Sequence, residues 1–466
     1  MTTDLVVRGG TVVEPSGARR ADVLVRGGRV AAVEPAIEAD GVDVVDAGGA
    51  YVVPGGIDAH THFALPVGAV TSADDFESGT LAAACGGTTC VVDFAGAGRE
   101  PWREALATWH GRARGRAVVD YGFHLTVTEL PEHPEEAVRR FAAFLEQGVS
   151  SVKLYLAYPD RLMVDAETLA RALAASRRTG VLVCVHAEDG AVIETLAGEA
   201  LAAGRTGPEA LPSVHPPSVE AGAVATAAAL AGRTGAALYV VHLSSGEGLR
   251  AVRAARAAGV EVHAETCPHY LLLEQSHLEA GEQDFVCAPP LRGRADRLAL
   301  WDAVGDGDVE VVATDHCPFT TADRRRGTGG LGWADFTEIP GGLSGVETRL
   351  SLLFQGVASG RLSLERWVDA TSAAPARLFG LAGKGAVRPG LDADLVVFDP
   401  AATRTLTVDR LHSRCDHSPF ESCVVTGWPA MTISRGEVVA ADGEPTDPRP
   451  GRGRFVRRSP RPGTRV

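Results

Sequence analysis

His60 and His62 stand one residue apart at the end of the apolar run YVVPGGIDAHTHF. On a strand, side chains at i and i+2 project from the same face, so both imidazoles can reach one metal ion from the strand's C-terminal end. A His-x-His triplet by itself equally describes two surface or supporting histidines. Later strand-like runs repeat the pattern. VLVCVHAEDG carries His186 at the end of its apolar stretch, LYVVHLSS carries His242, and VEVVATDHCPF delivers Asp315 at the corresponding point. A lone histidine on such a run is more often a satisfied core group, whereas two at matching positions of successive strands favour ligation. Asp315 taken alone equally suits a helix cap.

The run SVKLYLAY places Lys153 between Val152 and Leu154. Desolvation there favours the neutral amine, which can react with carbon dioxide to form a carbamate, an anionic bidentate oxygen ligand. A strand lysine paired with a carboxylate is the structural alternative. Four histidines, one lysine and one aspartate at strand ends suit two divalent ions bridged by a carboxylate-like group. Such ions, about 3.5 to 4 Å apart, share a hydroxide and hold it ready to attack a carbonyl. Zinc suits imidazole and oxygen ligands best, with manganese, cobalt or iron also compatible.

Positioning these donors requires strands. Candidate runs fall at 56–58, 89–94, 121–126, 151–156, 181–186, 238–242, 261–266 and 309–314, separated by alanine-rich helical stretches. Eight such units favour a closed (β/α)8 TIM-like barrel over an open doubly wound sheet, with chemistry at the strands' C-terminal ends. The first fifty residues instead read as short β runs with Arg-Gly-Gly turns, a texture that returns in LDADLVVFDP and CVVTGWPAMTISRGEVVA. The expected organisation is a β-sandwich built from 1–52 and 387–446, a hydrolase barrel over 53–386, and an Arg/Pro-rich tail over 447–466.

Composition narrows the function classes. The 466 residues can bury a large core, and the formal charge of −14 disfavours a nucleic-acid surface. A small neutral substrate fits better. Eight scattered cysteines without a Cys-x-x-Cys pair or a signal peptide read as reduced thiols in a cytoplasmic protein. No apolar stretch approaches the roughly 20 residues that span a bilayer. The basic run from Arg449 to Arg465 reads as a flexible or subunit-contacting tail, with an anionic partner as the alternative.

The whole set resembles the amidohydrolase superfamily. Within it, GGIDAHTHF, TSADDFESGTLAAACGGTT, SVKLYLAY, HAEDG, ETCPHYLLL, CAPPLR, TDHCPF, GVETRL and TGWPAMTISRG look most like the dihydropyrimidinase and hydantoinase branch and its relative allantoinase. The resemblance implies that His60 and His62 bind the more buried metal, His186 and His242 the second, and carboxylated Lys153 both. It makes Asp315 a ligand and general base, and Tyr158 the hydrogen-bond donor to the developing oxyanion. The implied reaction opens the ring of a hydantoin or dihydropyrimidine to an N-carbamoyl amino acid, by attack of a metal-bridging hydroxide. It also implies a homotetramer or dimer.

Ala288 and Gly341 stand where the branch commonly carries serine and asparagine, at positions contacting the ring's amide edge largely through backbone groups. Phe63, Leu65 and Tyr155 are expected to line the pocket for the exocyclic substituent. ETCPHYL and CAPPLR look more like allantoinase, whereas Tyr158, TDHCPF and the HTHFALP loop favour hydantoinase. FALPVGAV lacks the arginine with which dihydroorotase grips a carboxylate, again favouring a neutral substrate. His124, His263 and His269 are read as packing, surface or supporting groups, His316 as an orienting group and Cys317 as structural. A metal-free scaffold of the same fold is the alternative from another class, and such relatives lack several of the ligand positions that this chain retains.

Overall fold

The computed structural model describes residues 4–38, 40–446 and 449–461. Eight parallel strands form its centre: β1 (Gly56–Thr61), β2 (Thr88–Ala95), β3 (Asp120–Thr126), β4 (Ser151–Tyr155), β5 (Leu182–His186), β6 (Leu238–Val240), β7 (Val262–Thr266) and β8 (Val311–Val312). Each pairs with the next in chain order. A parallel bridge between Thr61 and His316, with the His62 N–H donating to the His316 carbonyl at 2.9 Å, closes β1 onto the chain beyond β8. The result is the expected closed barrel. Its interior is filled, with Ala59, Cys184, Tyr239, Val311 and Ala313 in one buried cluster, so only the polar mouth remains for chemistry.

Two strands are shorter than the apolar runs suggest. Pairing stops at Val240 rather than His242, and β8 is confined to Val311–Val312 within the run 309–314. His242 has φ 37° and Asp315 φ 52°, in the left-handed region where a ladder cannot continue. The chain therefore leaves each strand where a metal-competent side chain must turn into the mouth. Asp58 takes over from the lost ladder, accepting from the Thr314 N–H at 3.1 Å and its hydroxyl at 2.6 Å.

The helices between strands follow ordinary rules. In Ala166–Thr179 the Asp165 side chain accepts from the Thr168 N–H, and Gly180 at φ 78° ends the helix in a conformation costly for other residues. Its Leu169, Ala172, Leu173 and Ser176 face the barrel at helical spacing.

Both chain ends build the satellite sheets. One has four strands, from 5–8, 22–26, 29–34 and 43–46, and the other interleaves 11–14, 17–20 and 51–54 with 395–405, 424–434, 437–441 and 444–445. The crossing point is antiparallel pairing of 51–54 with 395–398, which joins segments some 340 residues apart.

Over 449–461 the basic C-terminal segment is packed on the barrel, which corrects the flexible alternative of the sequence-based reading; residues 447, 448 and 462–466 lie outside the described residues. It straps the N-terminal end of the barrel. The Tyr121 N–H donates to the Arg454 carbonyl at 3.0 Å, and the Val456 N–H returns to Tyr121 at 2.7 Å. Arg458 is buried and donates to Ser151 Oγ at 2.9 Å and to the Phe123 carbonyl. Among the described residues no helix is long and apolar enough to cross a membrane.

Candidate active site

His60, His62 and Asp315 meet at the mouth. His60 Nε2 and His62 Nε2 are 3.2 Å apart, and Asp315 Oδ1 lies 3.1 Å from the first and 3.0 Å from the second. Beside them His186 Nδ1 is 3.0 Å from His242 Nε2, and the His60 and His242 rings are 5.4 Å apart between centroids. Lys153 enters from β4, its Nζ 4.7 Å from the Phe94 ring and 5.0 Å from the Tyr155 ring. All five basic side chains are buried.

Burial keeps most of the basic donors neutral beside an ionised carboxylate. Burial holds Lys153 down at about 8 although Asp315 and Glu265 pull it upward. Burial lowers His62 to about 4 and His242 well below the ordinary imidazole range. His60 is pushed the other way: burial opposes its charge, yet Asp315 and Glu265 together raise it to about 9. Burial alone would raise Asp315, but His60 and His62 hold it well below the usual carboxylate range. Ring nitrogens and a carboxylate oxygen at 3.0–3.2 Å are close to the roughly 3.3 Å between ligands of a tetrahedral zinc with bonds of about 2.0–2.1 Å. The donor set fits divalent metal ions.

Two of the histidines, His60 and His186, are oriented by buried carboxylates. Glu265, on β7, accepts from Tyr239 at 2.8 Å and contacts His60 Nδ1, so Nε2 faces the mouth. Glu188 does the same for His186 Nε2 at 3.0 Å and also meets His215 Nδ1 at 3.0 Å. Asp93 accepts from Thr61 Oγ1, the Phe63 N–H and Trp109 Nε1 at 2.8–2.9 Å, which anchors the chain on either side of His62. His316 is an orienting group for the loops: Nε2–H donates to Asp74 at 3.0 Å, and Nδ1 accepts from the Gly345 and Val346 N–H groups at 3.0 and 3.3 Å. Sequence reasoning passed over these carboxylates. The signal available was a charged residue within otherwise apolar runs, as with Asp58 in GGIDAH, Asp93 in VVDFA and Glu265 in VHAETC.

The substrate side is partly as expected. Tyr158, at φ 65°, puts its ring 5.3 Å from His186 and 6.0 Å from Tyr155, which stacks on His186. Burial beside Glu188 pushes the Tyr158 phenol well above its ordinary range, so it stays a donor. Gly341 adjoins Cys287, next to Ala288, and the Gly342 N–H ties to the Val286 carbonyl at 2.9 Å, bringing both backbone segments together. Leu65 and Tyr155 are half-buried. Phe63 is a correction: its ring has no exposed surface and packs on Phe76 and His316 at 5.4 and 5.6 Å, so it supports the loop and cannot line a pocket.

Of the remaining histidines, His124 is a packing group, 2.7 Å from Ser151 Oγ and stacked on Phe94. His263 pairs with Glu310 at 2.6 Å, away from the mouth. His269 is buried and its Nε2 has no hydrogen-bond partner.

The Amidohydrolase family model matches residues 51–439, which spans the barrel and most of the closing sheet. The chain belongs to the amidohydrolase family. It is 40% identical over 460 residues to a D-hydantoinase of Geobacillus stearothermophilus, covering 97% of this chain and 96% of that one. It is 42% identical over 464 residues to a D-phenylhydantoinase of Escherichia coli O1:K1, covering 98% of each. Among solved structures, the dihydropyrimidinase of Brevibacillus agri superposes with a TM-score of 0.94 at 40% identity, covering 98% of this chain and 99% of that one. This amidohydrolase thus shares both its barrel and its β-rich ends with cyclic amidases.

Proposed function

We propose that this amidohydrolase opens the cyclic amide bond of a hydantoin or 5,6-dihydropyrimidine, giving an N-carbamoyl amino acid. The observation that carries the reading is the convergence of His60, His62, His186, His242, Lys153 and Asp315 at one barrel mouth, in a chain similar end to end to D-hydantoinases. His60, His62 and Asp315 would hold one divalent ion, His186 and His242 a second, and Lys153 as its carbamate both; zinc suits these donors best. When bound, such a pair polarises a carbonyl and makes water nucleophilic near neutral pH.

The side chains divide the remaining work. Asp315 is ionised at neutral pH, so its carboxylate accepts the proton of the attacking water and returns it to the departing ring nitrogen. The C–N bond breaks as the carbonyl re-forms, and the nitrogen leaves as part of the carbamoyl group. Tyr158, kept protonated, donates to the oxygen on which negative charge builds. The backbone of Ala288 and Gly341 would grip the ring's amide edge, while Leu65 and Tyr155 face the substituent.

Allantoinase activity is the nearest alternative, on the strength of ETCPHYL and CAPPLR. A panel of dihydrouracil, hydantoin, 5-substituted hydantoins, allantoin and dihydroorotate, run beside metal analysis, tests the proposal. Fastest turnover of a hydantoin or dihydrouracil with about two metal ions per chain supports it. Fastest turnover of allantoin would transfer the assignment, and an inactive metal-free protein would leave only a scaffold. A cytoplasmic homotetramer or dimer completes the reading; free cysteines that are buried at all positions but Cys423 suit a reducing compartment, and light scattering measures the assembly.

A further inference from the structure

A second mixed-donor cluster lies behind the mouth and has no part in the proposed chemistry. Cys85 ends the helix Ser78–Cys85, Glu347 follows the loop beyond β8, and His412 lies between the sandwich strands 395–405 and 424–434. One donor atom from each residue is within 4.8 Å of the other two. The His412 N–H donates to Glu347 Oε2 at 2.7 Å, and His412 Nδ1 is 2.9 Å from Glu347 Oε1. On the ring's other side, Nε2 is 3.5 Å from Glu444. Cys85 is 1% exposed, while the His412 side chain keeps 17%, so the thiol is shielded and the cluster still opens to solvent.

His412 and Glu347 form an ion pair, and the Cys85 thiol adds a third donor beside it. A thiol, an imidazole nitrogen and a carboxylate oxygen converge from three separate parts of the chain. Donors on a tetrahedral zinc lie about 3.3 to 3.8 Å apart, so within the 4.8 Å limit Cys85 needs to approach by at most about 1 Å while the His412–Glu347 pair, at 2.9 Å, opens slightly. Glu444, largely exposed, approaches the ring's other nitrogen only to 3.5 Å. Sulfur sets this cluster apart from the all-nitrogen and oxygen donors of the barrel mouth, and it selects a borderline or soft cation.

We propose that Cys85 Sγ, His412 Nδ1 and the Glu347 carboxylate form a separate structural site for a thiophilic divalent cation of the zinc class, with water in the fourth position. Binding releases the thiol proton and any proton held by the imidazole. The cation ties together the elements that buttress Asp315. Glu347 is next to Val346, whose N–H with that of Gly345 holds His316; Ser413 Oγ and the Arg414 N–H, beside His412, donate to Asp74 at 2.5 and 2.9 Å; and Asp74 holds the other edge of His316. Occupancy therefore stiffens the wall behind the mouth without touching substrate.

Cobalt(II) added to metal-stripped protein reloaded with only about two metal ions per chain, enough for the barrel mouth, tests this directly. The expected result is a sulfur-to-cobalt charge-transfer absorption that saturates at one further equivalent per chain, with a rise in Tm. No sulfur donor belongs to the barrel-mouth set, so the band reports on this site whatever ring the enzyme opens. Cys85→Ser and Cys85→Ala should each lose the band and the Tm rise. Cys415→Ser should keep both, although Cys415, Asp416 and His417 form a comparable cluster. Absence of the band in the unmodified protein overturns the proposal even if neither Cys85 variant folds. Survival of the band without Cys85, or its loss with Cys415, overturns it equally.

Discussion

His186 points Nε2 at the Glu188 carboxylate, 3.0 Å away, and so turns Nδ1 toward the mouth. Glu188 is itself buried, and the histidines on either side hold its carboxyl well below the usual range despite the burial. A full negative charge thus stands behind a neutral imidazole and makes it a better ligand. Removing it in Glu188→Ala should weaken the metal held by His186 and His242 by about 10- to 100-fold. Competition against a chelator measures this, and an unchanged affinity would reduce Glu188 to a packing group.

Lys153 would join the two histidine pairs as its carbamate, and its burial favours the neutral amine that carbon dioxide needs. Lys153→Ala should lose turnover and fall from about two metal ions per chain to one or fewer. A short carboxylic acid added to the buffer should restore part of both. Turnover that persists without such an acid would show that no carbamate bridge is needed.

Tyr158 differs because it touches the reacting oxygen and not the ions. Tyr158→Phe should lower kcat by about 100-fold or more, as loss of one oxyanion donor does, with metal content unchanged. Equal loss of metal would place the tyrosine among the groups that build the centre.

The proposed metal-binding histidines and Asp315 were legible because each ends an apolar run, with Lys153 inside another, and eight such runs specify a barrel whose strand ends share one mouth. Their supports were not legible. Asp58 reaches Thr314 across 256 positions, Asp74 reaches Ser413 across 339, and Glu265 reaches His60 across 205. Spacing along a chain carries no trace of contacts at that range. Phe63 shows the converse: alternation from His60 and His62 turns residue 63 away from the mouth, and its ring indeed packs on Phe76. The left-handed turns at His242 and Asp315, which shorten β6 and β8, have no glycine to announce them.

Asp74 gives the fold a defined acid limb. Burial opposes its charge, but His316, Ser413 and the Arg414 N–H outweigh it and bring the carboxyl down to about 2 from an unfolded value of 3.8. A depressed folded pKa stabilises the native state above the unfolded value, and that share fades as pH falls through about 4 toward 2. Asp74→Asn removes it. In metal-stripped protein, urea midpoints should separate variant from parent most at pH 5 and converge as the pH approaches 2.5. A gap that stays constant over that range would assign the stabilisation to shape alone.

Arg458 makes the strap at the barrel's closed end part of the folded core. Its guanidinium is buried and lowered to about 10 by desolvation, a cost offset by the bonds to Ser151 Oγ and the Phe123 carbonyl. Arg458→Ala leaves both acceptors in a dry site and empties the space of the side chain, so destabilisation of about 3 kcal/mol is expected. Arg458→Lys should recover only part of it, since one ammonium cannot reproduce the planar fork. The mouth lies at the other end of the barrel, so kcat at 25 °C should hold while Tm falls. Thermal unfolding followed beside turnover separates the two. A variant with parental Tm would return the segment to the flexible tail that its prolines, glycines and arginines suggest.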